Sequence, residues 1–398
     1  MVDERTERGS VDFTDTPEEH AFRAELRQWI EGELPIPPLP DDDEGRIAYL
    51  SALQSRMHAA GLSALSFPVE YGGRGFPPEF EAILLDEMGS VGLPSAWHYG
   101  YVARVILLYG NEEQKRRFLP PAFSGEERWC QGFSEPGAGS DLGALTTRAH
   151  LDGGSYVVNG QKVWTTEAKW ADWCLLLVRT DPEAPTHRAM SCFIVPIDAP
   201  GLTVRPFRQI TGAMEFAELF FDDVRVPVSA RVGEAGEGWR IAMSTVSFER
   251  GPGDVGYIAD LRRTIGRLTD VVRAAGPGGA ALQEGPAPAG NREMALRLAQ
   301  SMVDVEVLRV HVLRSLSRRT AGLATEVDAS VDKLLMVRTE QALGHVELDL
   351  HGAGVLTGEE PEALYDYLWS RAASVYGGSE QIQRTIVATR LLGLPRGP

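Results

Sequence analysis

The stretch Trp129-Cys-Gln-Gly-Phe-Ser-Glu-Pro-Gly-Ala-Gly-Ser-Asp141 decides how the rest of the chain is read. Its first half, with Trp129, Gln131 and Phe133, is an apolar, strand-like run. Pro136 breaks that run into a glycine-rich turn, where Gly137 and Gly139 leave backbone amides open to a ligand that a side chain would block. Ser134, Ser140 and Asp141 add short polar groups at its lip. A second stretch, Val163-Trp-Thr-Thr166, sets an indole beside two hydroxyls on an extended segment. A flat aromatic with hydrogen-bonding neighbours suits a planar heteroaromatic cofactor.

Upstream of this stretch the texture is helical. Thr16-Pro-Glu-Glu reads as an N-cap, Pro at the first helical position and acids in the first turn, with Phe22, Leu26, Trp29 and Ile30 on one face. Further helices are expected over 46–60, 77–88 and 97–108, and from Asn111 to a stop at Leu119-Pro-Pro. Between the second and third, Phe67-Pro-Val-Glu-Tyr-Gly-Gly-Arg-Gly is non-helical. Downstream of Arg128, short β-prone runs alternate with turns such as Asp152-Gly-Gly and Asp198-Ala-Pro-Gly, and Asn159-Gly160 reads as a hairpin turn. Helical periodicity returns at Trp239 and holds to the C-terminus, interrupted by a Gly/Pro/Ala connection over 276–290. The expectation is an α+β chain in three parts: an N-terminal helical domain over 1–127, a middle antiparallel β-domain over 128–236, and a C-terminal four-helix-bundle-like domain over 237–398.

Bulk properties narrow the function. The chain has 398 residues, and a net charge of −17 argues against a nucleic-acid or anionic-membrane binder. Cys130, Cys174 and Cys192 form no CxxC pair and no disulfide framework. The eight histidines show no HExxH-type spacing, so no metal site is expected. A charged N-terminus without an apolar core, and no run of membrane-spanning length, give the expectation of a soluble, cytoplasmic protein. Glu135 and Asp141, two acids near one turn, read as cap or turn residues.

Six motifs in order resemble the acyl-CoA dehydrogenase family over nearly the whole chain. They are Tyr71-Gly-Gly-Arg-Gly, Gly110-Asn-Glu-Glu-Gln-Lys-Arg-Arg-Phe-Leu-Pro-Pro, Gly132-Phe-Ser-Glu-Pro-Gly-Ala-Gly-Ser-Asp-Leu, Asn159-Gly-Gln-Lys-Val-Trp-Thr-Thr, Phe220-Phe-Asp-Asp-Val-Arg-Val-Pro and Tyr376-Gly-Gly-Ser-Glu-Gln-Ile-Gln-Arg. The resemblance implies FAD as cofactor, an acyl-CoA substrate, a 2,3-enoyl thioester product, electron-transfer flavoprotein or a similar acceptor, and a homodimer or homotetramer. It implies that Gln131, Phe133 and Ser134 hold the flavin pyrimidine edge. Trp164 would lie against the isoalloxazine, with Thr165 beside it and the Thr166 hydroxyl near N5. Ser379 and Gln381 match a cofactor-contacting loop, Ser140 a serine near the thioester, and Arg250 an arginine at the end of the substrate helix.

The chemistry needs a base for the α-proton and hydrogen-bond donors at the thioester oxygen. The commonest family position for the base glutamate follows a tyrosine near the C-terminus, and here that position is Gly377. A subset of the family, including long-chain and isovaleryl types, carries it immediately before the helix arginine, and here that residue is Glu249. One position is vacated and the other filled, so the resemblance assigns the base to Glu249 and leaves Gly377 a backbone N–H for the thioester oxygen. Without it, Glu249-Arg250 would read as a solvated charge pair.

Two segments depart from the family pattern. The Arg-x-x-Phe-Gly segment that reaches a neighbouring subunit's FAD pyrophosphate has no counterpart near 276–290, and Leu350-His-Gly-Ala-Gly-Val lacks the family's glutamine. Three alternatives stay open beside the leading one: a dehydrogenase of carrier-protein-bound acyl thioesters, one subunit of a heteromeric dehydrogenase, and a flavin oxidase or monooxygenase on the same fold.

Overall fold

A computed structural model of the chain describes residues 14–40, 42–94, 100–248, 252–275, 291–323 and 326–395. In chain order its helices and strands are α1 (Pro17–Glu33), α2 (Asp43–Ala59), α3 (Pro78–Val91), α4 (Gly100–Tyr109), α5 (Glu112–Ser124), β1 (Trp129–Gly132), β2 (Arg148–Asp152), β3 (Ser155–Thr166), β4 (Trp173–Arg179), β5 (Met190–Pro196), β6 (Leu202–Phe207), β7 (Phe216–Pro227), β8 (Arg231–Val232), α6 (Gly238–Phe248), α7 (Pro252–Ala275), α8 (Asn291–Thr320), α9 (Glu326–His351), α10 (Ala353–Thr357), α11 (Pro361–Ser370) and α12 (Glu380–Ile386). The α+β expectation therefore holds. The expected connection over 276–290 lies outside the described residues. Two compact units result, one drawing on Met1–Ile36, Pro77–Ser95 and Arg250–Pro398, the other on Pro37–Phe76 and Ala96–Glu249.

The first unit is helical. The Thr16 hydroxyl accepts the Glu19 N–H while the Glu19 carboxylate accepts the Thr16 N–H at 2.6 Å, a capping box that starts α1 where the sequence places it. Phe22, Leu26 and Ile30 are its buried face. Arg23 and Arg27 both grip Glu87 of α3, at 2.6 and 2.8 Å. The core joins Ala82 of α3 to Val255, Ile258, Leu261 and Leu268 of α7, to Leu298, Val305, Leu308 and Val312 of α8, and to Met336, Leu343 and Val346 of α9.

The second unit is built on a sheet ordered β6-β7-β3-β2-β4-β5-β8. β4 is buried on both faces, so it reads as an unbroken apolar run. Leu175 and Leu177 face a core shared with Val105, Ile106, Phe123 and Ile241 of the helices, while Cys174, Leu176 and Val178 face a second core with Val158, Phe193 and Leu219. All three cysteines are buried and unbridged.

Four sequence expectations are corrected here. β1 runs parallel to β4, with Trp129 beside Trp173 and Gln131 beside Leu175, so the sheet is mixed rather than wholly antiparallel. Helix α5 continues through Pro120 and Pro121 to Ser124. The buried anchors Leu119, Ala122 and Phe123 hold it in place against the local cost of two prolines. The last helix, expected from its periodicity to hold to the C-terminus, turns from α to π geometry over Val387–Leu391.

Finally, Asn159-Gly160 is no hairpin. β3 is continuous across it, the β2–β3 turn lies at Gly153-Gly154, and the register against β7 shifts between Val158 and Gly160. A Cβ on Gly160 would stand 2.5 Å from the Thr147 hydroxyl, so close approach of a neighbouring segment explains the glycine. The Asn159 amide clasps Asp223, donating to its carboxylate and accepting its N–H. No helix among the described residues is long and apolar enough to cross a membrane.

Candidate active site

The opening stretch folds as β1 followed by a tight turn. Glu135 and Ala138 exchange both backbone hydrogen bonds, at 3.1 and 3.0 Å, which closes the turn around Pro136 and Gly137. A Cβ on Gly137 or Gly139 would meet nothing within 4 Å, and neither has a positive φ. Contacts within the chain therefore demand glycine at neither position, and bare backbone is left on the outside. Phe133 is buried, Ser134 is half-buried, and Ser140 and Asp141 are exposed.

Behind the turn lies a pair that sequence reasoning missed. Glu135 is not a turn residue at the surface. Its carboxylate accepts from Lys162 Nζ at 2.8 Å, from the Thr146 N–H at 2.7 Å and hydroxyl at 2.8 Å, and from the Thr147 N–H at 2.9 Å. Lys162 is wholly buried and also donates to the Phe133 carbonyl at 2.9 Å. Burial alone would raise Glu135. The Lys162 charge and the bonds from Lys162, Thr147 and Thr146 override it and hold the carboxyl at about 2. A lysine inside a β-prone run was the available clue.

Lys162 thus ties β3 to the turn, and Val163 N–H adds a bond to the Ser134 carbonyl at 2.9 Å. Immediately beyond, Val163 and Trp164 of β3 stand against the single residue Glu218 of β7, a β-bulge. Trp164 there takes a left-handed backbone with φ 59°. The residue is 59% exposed, its indole edge-on to Phe207 and Phe216 with centroids at 5.1 and 5.6 Å. A non-glycine residue in this conformation costs on the order of 1–3 kcal/mol and marks a position held for a purpose. Thr165 is wholly buried and its hydroxyl lacks a partner, as does the buried Gln131 Oε1; Thr166 is half-buried. An exposed indole beside bare turn backbone fits a flat aromatic group such as a flavin.

The remaining residues fall elsewhere. Gly377 and Gly378 have φ of 60° and 89°, a left-handed pair that only glycine adopts without strain. The buried Gln383 amide donates to both of their carbonyls at 3.2 Å. The Ser379 hydroxyl caps α12 by accepting the Ile382 N–H, and Gln381 is exposed on its first turn. Gln131, Phe133, Ser134, Ser140 and Trp164 to Thr166 thus share the sheet-containing unit, while Gly377, Ser379 and Gln381 belong to the helical one. Glu249 and Arg250 lie outside the described residues. Among the described residues, no three His, Cys, Asp or Glu side chains gather to hold a metal ion.

Three family models cover the chain in order: acyl-CoA dehydrogenase N-terminal domain at residues 16–126, middle domain at 130–224 and C-terminal domain at 236–392. The chain belongs to the acyl-CoA dehydrogenase family. It is 36% identical over 398 residues to acyl-CoA dehydrogenase IpdE1 of Mycolicibacterium smegmatis, covering 94% of this chain and 97% of that one. The solved structure titled "Tcur3481-Tcur3483 steroid ACAD" is 31% identical with a TM-score of 0.81, over 97% of this chain and 100% of that one. The ChsE4-ChsE5 complex of Mycobacterium tuberculosis gives 29% and 0.78 over 97% and 100%. As an acyl-CoA dehydrogenase, the chain is an oxidoreductase, and the wall from Trp129 to Asp141 lies within the residues matched by the middle-domain model.

Proposed function

We propose that the chain is an FAD-dependent dehydrogenase that converts an acyl-CoA thioester to its 2,3-enoyl thioester, with electron-transfer flavoprotein or a similar carrier taking the electrons onward. The single observation that carries this reading is Trp164: an exposed indole, on a strained bulge, tied through Val163 to the Ser134 carbonyl. Gln131, Phe133, Ser134, Trp164, Thr165, Thr166, Ser379 and Gln381 would hold FAD. When bound, FAD would supply the acceptor for the β-hydrogen and its electron pair as the Cα–Cβ bond becomes double. Glu249 takes the α-proton as general base. The Gly377 N–H meets the thioester oxygen where negative charge develops, and Ser140 and Arg250 hold the rest of the thioester.

Glu249→Gln is expected to retain FAD and lose flavin bleaching by acyl-CoA by at least about 100-fold. Undiminished anaerobic bleaching in that variant removes Glu249 as the base.

A second reading, that a partner chain completes the assembly, is favoured by α8. Leu296, Val303, Val307 and Val310 are exposed at helical spacing along one face of it. The departures from the family pattern near 276–290 and at Leu350-His-Gly-Ala-Gly agree with FAD contacts supplied from another subunit. Mass and FAD content of the chain expressed alone test this. A yellow homo-oligomer with one FAD per chain excludes the need for a different partner.

A further inference from the structure

Lys162 is wholly buried and its ammonium is shared between two acceptors, the Glu135 carboxylate at 2.8 Å and the Phe133 carbonyl at 2.9 Å. The two acceptors are not equivalent. Glu135 also takes the Thr146 N–H, the Thr146 hydroxyl and the Thr147 N–H. Three donors besides Lys162 therefore spread its negative charge. The ammonium has no such set of neighbours to dilute it, and part of its pull falls on the Phe133 carbonyl.

That carbonyl belongs to the same peptide unit as the Ser134 N–H. The unit is trans, so its N–H points away from the end that Lys162 holds. The segment cannot turn over, because the next carbonyl, that of Ser134, accepts the Val163 N–H at 2.9 Å. The Ser134 N–H itself has no hydrogen-bond partner among the described residues, and Ser134 is only half-buried. A cation on the carbonyl end of an amide draws electron density through the unit and makes its N–H a stronger donor, by about 10–30% for each bond in such a chain. The low dielectric around a wholly buried ammonium strengthens the effect. The wall that carries the exposed Trp164 thus also carries a polarised backbone donor.

We propose that Lys162 is a positioning residue for the redox step: through the Phe133–Ser134 peptide it strengthens the Ser134 N–H toward the oxygen edge of the flavin, and so favours the reduced, more negatively charged cofactor over the oxidised one. This rests on the reading that Ser134 holds that edge. Glu135 is the counter-ion that lets the ammonium stay charged under full burial. No bond is made or broken and no proton moves within the pair; its charges are in place before the cofactor binds.

The test compares wild type with Lys162→Met/Glu135→Gln, which removes both charges together and leaves neither unpaired. Two measurements are made on FAD-loaded protein without thioester. The first is the two-electron midpoint potential of the bound flavin. The double variant is expected to lose about tenfold in its preference for the reduced cofactor, a fall of about 30 mV. A loosened turn alone would weaken both forms of the cofactor alike and leave the potential in place. The second is the infrared C=O stretch of the bound oxidised flavin, which rises as hydrogen bonds to its oxygens weaken, and is expected to rise in the double variant. A potential that falls while the stretch stays fixed overturns the route through Ser134 and makes Lys162 a charge acting through space. If neither quantity moves while FAD stays bound, the proposal is overturned and the flavin reading stands. Wild type that binds no FAD removes the flavin reading itself, and the inference with it. Should the double variant fold poorly, Lys162→Gln/Glu135→Gln removes the same two charges while keeping polar groups in the space, with the same shifts expected.

Discussion

Glu135 and Glu340 are the same residue, buried to nearly the same degree at 5% and 7% exposure. Their carboxyls are pushed in opposite directions, to about 2 and to about 7. Burial raises both. What separates them is the company they keep. Around Glu135, one ammonium and three further donors saturate both oxygens. Around Glu340, one oxygen has no donor, and the Lys333 and Arg371 charges and the Tyr257 bond only partly offset burial. Within one fold, partners rather than depth decide whether a carboxyl is a permanent charge or a proton reservoir. The permanent charge sits in the wall proposed to hold the cofactor, where a shifting dipole would disturb a flavin. The titrating carboxyl sits on α9 of the helical unit.

The most forceful way to break this comparison is to take away Glu135's partner. Lys162→Met leaves an uncompensated buried charge and is expected to cost about 3–5 kcal/mol in urea unfolding at pH 7. The double variant Lys162→Met/Glu135→Gln is expected to recover part of it. A loss below about 1 kcal/mol in the single variant would place the pair among weakly coupled surface ions instead.

Acid and base limbs of stability come next. Glu135 has a folded value below its unfolded 4.5, so its stabilisation is present above pH 4.5 and is lost as pH falls toward about 2. Glu340 has a folded value above 4.5, so its contribution is whole below pH 4.5 and is lost as pH rises through about 7. Each limb corresponds to about 3 kcal/mol by linkage. Unfolding free energy measured from pH 3 to 8 should lose its acid limb in Glu135→Gln and its neutral limb in Glu340→Gln. Retention of both limbs in both variants contradicts the assignment.

The smallest effect on stability is expected at Trp164. Trp164→Gly relieves backbone strain and gives up two edge-on aromatic contacts, terms of about 1 kcal/mol each and opposite in sign. The urea midpoint should stay near that of wild type while FAD retention on gel filtration falls. A large destabilisation with FAD still bound would make the indole a structural residue.

Much of this was legible in the residues. The N-cap at Thr16, the glycine-rich turn at Pro136 and the alternation of helical and strand texture are local, and local propensity carries them. The bulge at Trp164 was not legible, because it is fixed by the register of β3 against β7, more than fifty residues away in sequence. Asn159-Gly160 misled for the same reason: the pair is strongly turn-forming, and its neighbours Thr147 and Asp223 turned it into a kink within a strand. Glu135 and Lys162 are 27 residues apart and meet only once the sheet has formed. The family motifs placed the indole and the glycine turn among functional positions, yet gave no hint that Glu340 exists as a titrating group.

The three cysteines have a practical consequence. Cys130, Cys174 and Cys192 are each at most 1% exposed, and burial raises the Cys130 and Cys192 thiols above their usual range, away from the reactive thiolate. The native fold is therefore nearly inert to maleimide. A cysteine introduced at the exposed Ser140 would be its one fast-labelling thiol, so a dye or spin probe attached there reports on the lip of the turn without any background to remove.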